Sequence, residues 1–146
     1  VAAIDPDNPV VRLCAEGMTA TDPDLARERF EQAWAARVDD LDATIAAHYL
    51  ARVQADAQMT LHWNEVALAH ADATCPECVR GLYPSLYLNL GRSCEDTGDR
   101  QRAARLYELA EASLDELDDD GYGALVRRGV SAARARMRGD APAEPD

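Results

Sequence analysis

Apolar residues recur along most of this chain at helical spacing, and the stretches are separated by recognisable helix start and stop signals. Asp7-Asn8-Pro9 opens the first, with an Asn or Asp cap followed by Pro, whose missing N–H costs nothing in a first turn. Val10, Leu13, Cys14 and Gly17 then share one face. Thr21-Asp22-Pro23 repeats the signal, and Ala26, Phe30, Ala33 and Trp34 form the next stripe. Asp39-Asp40 caps a third helix over residues 41–54, with Ala43, Ala46, Ala47 and Leu50 as its buried face. A fourth, over residues 59–71, carries Trp63, Val66 and Ala67. Thr74 and Glu77, with Pro76 between them, read as a capping box for a fifth helix that runs to Asp96 and kinks near Pro84. The sixth, over residues 99–117, is the clearest amphipath, with Ala103, Leu106, Tyr107, Ala110, Leu114 and Leu117 on one side. An acidic turn at residues 118–121 stops it. The last helix, residues 122–138, aligns Val126, Val130, Ala133 and Met137 opposite a face studded with arginine. Helix formers dominate and β-branched residues are sparse, so the pattern predicts an all-α fold of antiparallel helix pairs. The Pro- and acid-rich end, residues 139–146, is expected to be disordered.

Self-similarity adds to this picture. Tyr87, Leu90, Gly91, Cys94, Gly98, Ala103, Tyr107 and Ala110 fall, in order and spacing, on the pattern W-x2-L-G-x2-Y, then G, then A-x3-F-x2-A, with Tyr87, Cys94 and Tyr107 standing in its W, Y and F slots. This stretch resembles a unit of the tetratricopeptide repeat family. Val10, Leu13, Cys14, Ala26, Phe30 and Ala33 fill the same slots more loosely in the first pair. In the second pair either Trp63 or Asn64 takes the aromatic slot, depending on a register of 33 or 34 residues from Ala26. The second junction is nine or ten residues longer than that period, and the excess contains Cys75 and Cys78. The resemblance implies one domain over residues 1–138. It would hold three helix pairs (residues 8–38, 41–72 and 76–117) and a capping helix (122–138), wound into a right-handed α–α superhelix whose first helices line a concave groove. That is the architecture of a non-catalytic scaffold for a protein or peptide partner.

Charge narrows the partner. The chain carries 15 basic and 27 acidic side chains, a net charge of −12, which opposes binding to a phosphate backbone. Every basic residue is Arg, so Schiff-base lysines and Walker-type phosphate loops are excluded. No apolar run approaches the roughly 18 residues of a membrane span, and no basic-then-apolar leader opens the chain. The expectation is a soluble, cytoplasmic, acidic protein that binds neither nucleic acid nor membrane and can self-associate through its terminal helix.

The expected groove is lined by Asn8, Arg12, Tyr49, Arg52, Ser85, Leu88, Asn89 and Arg92. Three guanidinium forks and two amides suit carboxylates, so an acidic segment or a chain terminus is the expected ligand. Asn89 matches an Asn slot with which chaperone-binding members of the family hold a terminal carboxylate; the Lys of those sites is missing here. Cys75-Pro-Glu-Cys78 is the sharpest local motif. It is half of a zinc site, with His70 the nearest further ligand in sequence, or a redox dithiol, or a pair of incidental thiols in an inserted junction. These leave two alternatives to the scaffold: a thiol- or zinc-dependent sensor built on Cys75 and Cys78, and an accessory subunit of an enzyme. No catalytic motif is present and no cofactor is expected: HExxH, GxSxG and GxGxxG are all missing, and the carboxylates offer no nominated acid/base pair.

Overall fold

The computed structural model describes residues 4–139 and is all α, with no strand among the described residues. The helices are α1 (Pro9–Thr19), α2 (Pro23–Ala36), α3 (Asp40–Ala51), α4 (Ala57–Ala73), α5 (Pro76–Val79), α6 (Tyr83–Asp96), α7 (Arg100–Ala112) and α8 (Gly121–Arg138), with 3-10 turns at Arg80–Leu82 and Leu114–Glu116. The expected disordered end lies outside the described residues except for Gly139. No helix of the described residues is long and apolar enough to cross a membrane.

The chain divides into two compact units, Val1–Arg80 and Gly81–Asp146. The boundary falls inside the inserted junction, within the expected third repeat.

Within the first unit, α1 packs on α2, α2 on α3, α1 on α3, and α3 on α4. Side-chain caps fix the starts. Asn8 accepts from the Val10 and Val11 amides (2.7 and 3.4 Å), Asp22 from Asp24 (3.0 Å), Asp39 from Asp42 (2.8 Å) and Asp56 from Gln58 (2.7 Å). Each satisfies a donor that the helix leaves unpaired, worth about 1 kcal/mol. The core contains Val10, Cys14, Phe30, Ala33, Ala46, Ala47, Leu50, Ala67 and Ala71. The small residues of α3 let it be enclosed almost all round, as its run of buried positions 42–47 shows.

The second unit repeats the three-helix arrangement: α6 packs on α7, α7 on α8, and α6 on α8. Its core joins Ala110, Leu117, Val126 and Val130, flanked by Tyr87, Leu88 and Leu114. Asp99 and Asp120 cap α7 and α8 through the Arg102 and Gly123 amides (3.0 and 2.7 Å). Gly98, at φ 89°, makes the turn between α6 and α7 in a conformation a side chain disfavours.

Several expectations at element ends are corrected. Thr74 does not cap a fifth helix; its hydroxyl donates to the His70 carbonyl (3.0 Å) and closes α4, while Cys75 takes the cap position without a side-chain bond. The expected continuous fifth helix is instead α5, a 3-10 turn and α6, so the break precedes Pro84, which sits in the first turn of α6. The sixth helix ends at Ala112, because Ser113 turns its hydroxyl back to the Ala110 carbonyl (2.9 Å) and a 3-10 turn follows. In α4 the buried stripe is Asn64, Ala67 and Ala71, with Trp63 half-buried beside it. That places Asn64 in the slot of Phe30, 34 residues earlier.

Candidate functional site

The eight expected groove residues have distinct fates. Asn8 is committed internally: its Oδ1 caps α1, and its Nδ2 donates to Asp42 Oδ1 (2.8 Å). Asp42, 2% exposed, also accepts from the Val38 amide (3.0 Å). A buried carboxylate is tolerable only with such donors. Asn8 and Asp42 therefore clasp α1 to α3.

On the same two helices, Arg12 and Arg52 are exposed, and neither makes an ion pair with a carboxylate among the described residues. Arg52 lies 5.9 Å from the Tyr49 ring centroid, at the edge of cation–π range. Tyr49 stacks on Phe30 (centroids 5.4 Å apart, planes at 21°), so its ring is held in place from the core side. His48 meets Tyr49 edge-on at 5.2 Å. Burial, and then the charge of Arg52, lower the His48 pKa to about 4, so the imidazole is neutral at pH 7.

In the second unit, Ser85 is buried and shares a hydrogen bond with the Tyr122 hydroxyl of α8. Leu88 packs beneath α8, where a Cβ added to Gly129 would come within 2.9 Å of its Cδ2. Asn89 is half-buried. Arg92 is exposed and bonded to Asp96 one turn on (3.3 Å). Ser85 and Leu88 thus serve the packing of α8, and Arg92 already holds a carboxylate.

The thiols fall into two classes. Cys14 and Cys94 are buried, and burial pushes the Cys14 pKa up to about 12. Cys75 is exposed and Cys78 half-buried, with Cys78 Sγ donating to Cys75 Sγ at 2.7 Å. Cys75 Sγ in turn lies 3.3 Å from Glu77 Oε2. His70, the candidate third zinc ligand, has Nδ1 2.7 Å from Asp40 Oδ1. No group of three or more His, Cys, Asp or Glu is arranged to hold a metal ion among the described residues.

Trp34 and Trp63, which the sequence places on two separate helix stripes, meet in an aromatic cluster on the α2–α4 side. Trp34 meets Trp63 edge-on at 5.0 Å and His70 at 6.1 Å, and the Arg37 guanidinium lies 3.8 Å over the Trp34 ring. Trp34 sits just beyond the buried Ala33 and Trp63 just before the buried Asn64, so both project from the edges of their stripes. That adjacency is the sequence signal.

All of this defines an all-α protein with two exposed arginines that take no carboxylate partner among the described residues, Arg52 of them near the Tyr49 ring, and, separately, a close dithiol. No family model matches the chain, and neither the curated proteins nor the solved structures contain a significant match to it.

Proposed function

We propose that this chain is a non-catalytic interaction module of tetratricopeptide-like helix pairs that binds a carboxylate-bearing peptide segment of a partner protein. Two packing features support the repeat reading. The α1–α2–α3 arrangement recurs as α6–α7–α8, and in each a second-helix aromatic lies against a first-helix glycine: Phe30 on Gly17, Tyr107 on Gly91.

The observation that carries the binding reading is the state of Arg12 and Arg52. The chain has 27 acidic side chains, and Arg29, Arg92, Arg134 and Arg136 all take carboxylate partners from it. Arg12 and Arg52 take none among the described residues, as Arg105 and Arg128 also do not, but Arg12 and Arg52 stand on the packed helices α1 and α3, and Tyr49, stacked on Phe30, lies near Arg52. Exposed guanidinium forks with unused donors fit an incoming carboxylate.

The test is direct titration of labelled acidic peptides, each with a free or an amidated C-terminus, followed by fluorescence anisotropy. At least one acidic peptide should bind, and Arg12→Ala/Arg52→Ala should weaken it by tenfold or more, about 1.4 kcal/mol. Arg92→Ala should change Kd by less, because Asp96 already occupies that side chain. A double variant with the parent's affinity, or a parent that binds none of the peptides, would overturn the proposal.

A further inference from the structure

We propose that Cys75 and Cys78 form a thiol–disulfide exchange site, with Cys75 the entry thiol and Cys78 the resolving thiol, whose substrates are small disulfides of neutral or positive charge. The inference stands on the placement of two sulfurs and is independent of the peptide-binding reading.

Sγ of Cys75 and Sγ of Cys78 are 2.7 Å apart, and a disulfide bond is about 2.0 Å long, so bond formation requires a shift of well under an ångström. The backbone already supplies the compact turn: Cys78 N–H donates to the Cys75 carbonyl at 2.9 Å. The intervening Pro76 restricts the chain to that geometry. Cys75, the exposed member, is the sulfur an incoming disulfide reaches first. Cys78, half-buried, points its S–H at Cys75. The hydrogen bond to Cys75, then burial, then the charges of Cys75, Glu77 and Asp39 raise the Cys78 pKa and favour its protonated form.

The exchange balances with the disulfide R–S–S–R as the oxidant. Cys75 loses its proton to solvent, and its thiolate attacks one sulfur of R–S–S–R, forming Cys75–S–S–R and releasing the first RS⁻, which solvent reprotonates. Cys78 then loses its proton to solvent and attacks Cys75 Sγ, closing Cys75–S–S–Cys78 and releasing the second RS⁻. Two protein thiols are oxidised by two electrons and one R–S–S–R is reduced to two R–SH.

The surroundings set the substrate preference. Glu77 Oε2 lies 3.3 Å from Cys75 Sγ, Asp39 acts on Cys78, and Arg80 acts on Glu77, within a chain of net charge −12. An anionic disulfide approaches against that field, and a neutral or cationic one does not.

The full chain, fully reduced, is treated with cystamine (cationic), hydroxyethyl disulfide (neutral) or oxidised glutathione (anionic), and the products are read by intact mass and peptide mapping. The expected product is one internal Cys75–Cys78 disulfide, with Cys14 and Cys94 still alkylated after unfolding. Cystamine should react at least tenfold faster than glutathione disulfide, and Glu77→Gln should narrow that ratio. Cys78→Ser should accumulate the mixed disulfide on Cys75; Cys75→Ser should react at least tenfold more slowly. Stable mixed disulfides on both cysteines of the parent would overturn the proposal. So would a rate and charge preference equal to those of an unstructured peptide of residues 72–81. The parent's mass and mapping decide even if a Ser variant misfolds.

Discussion

A Cβ built on Gly91 of α6 would stand 2.5 Å from Cε1 of Tyr107 on α7, a distance that real side chains do not adopt. The ring fills the place where a side chain would be, and it cannot swing away: Tyr107 is fully buried, and its hydroxyl is bonded to Glu95. Gly17 and Phe30 repeat the relationship in the first unit, at 2.4 Å from Phe30 Cε1. The glycine there lies three residues later than its counterpart relative to the aromatic, 13 positions before it and not 16. Cys14 and Cys94 take the exchanged positions, so the two units use one glycine and one thiol per first helix in opposite order. Gly91→Ala should lower stability by about 2–3 kcal/mol through overpacking. Urea melts of the two single variants should show the larger loss at Gly91, because Phe30 has no hydroxyl to anchor its ring. Equal melting of Gly91→Ala and parent would refute the close approach.

Glu95 ties three helices together. It accepts from the Tyr107 hydroxyl of α7 and from Arg136 Nη2 of α8, the latter at 2.9 Å. Burial, the largest single influence, raises the carboxyl pKa, but the bonds and charges of Arg136, Tyr107 and Arg92 together outweigh it and leave the pKa below its ordinary 4.5. A lowered folded-state value means that the stabilisation is fully present above about pH 4.5 and is lost as pH falls through the depressed value. Glu95→Gln should therefore cost about 1–2 kcal/mol at pH 7. The difference from the parent should shrink below pH 4.5 in urea melts at stepped pH. A gap that stays constant down to pH 3 would show that the charge of Glu95 contributes nothing.

Helix starts were legible because the cap and its target lie within three residues: Asn8, Asp22 and Asp39 each do what their local sequence implies. Thr74 was not, since a hydroxyl two residues before a Pro-initiated turn satisfies a cap pattern and an α4 carbonyl equally well, and only the fold selects the second. Trp63 drew attention by size, whereas the buried position belongs to the smaller Asn64; burial follows the direction of the stripe, not the most apolar residue near it. For the candidate site, the arginines are visible in the sequence but their partners are not. Asn8–Asp42 spans 34 residues, and only the packing of α1 on α3 brings the two side chains together. Arg92–Asp96, one helical turn apart, was readable from spacing alone.

The cap role of α8 is testable by truncation. Val126 and Val130 are buried against Ala110 and Leu117, with Tyr87, Leu88 and Leu114 around them. Burying each valine contributes about 1.5–2 kcal/mol. Removing residues 121–146 should expose this cluster and give concentration-dependent association or loss of helicity beyond that of the deleted residues. Sedimentation velocity and circular dichroism would show it. Leu125 and Tyr122, 59% and 49% exposed, make the outer face of α8 less polar than a simple cap requires. Leu125→Glu should therefore leave stability unchanged. A truncated chain that stays monomeric with proportionate helicity would refute the cap.

His48 offers the clearest pH signature of the first unit. It stands 34 residues after Cys14, in the slot that Gly91 occupies in the second unit, while Asn64 stands in the slot of Tyr107. Burial, then the Arg52 charge, lower the imidazole pKa from 6.5 to about 4. The unfolded chain takes up a proton as pH drops below 6.5 and the folded chain does not until about 4, so stability falls through that window and is level above pH 7. The residue is not fully buried, which tempers the loss; it should reach about 2–3 kcal/mol at pH 4. His48→Gln should remove the fall between pH 6.5 and about 5.5, a range in which Glu95 is ionised in both folded and unfolded chains and contributes little slope. Arg52→Ala should shift the midpoint of the imidazole titration, followed by NMR, toward 6.5 without restoring it, because burial is the larger cause. An imidazole that titrates near 6.5 in the folded parent would refute the assignment.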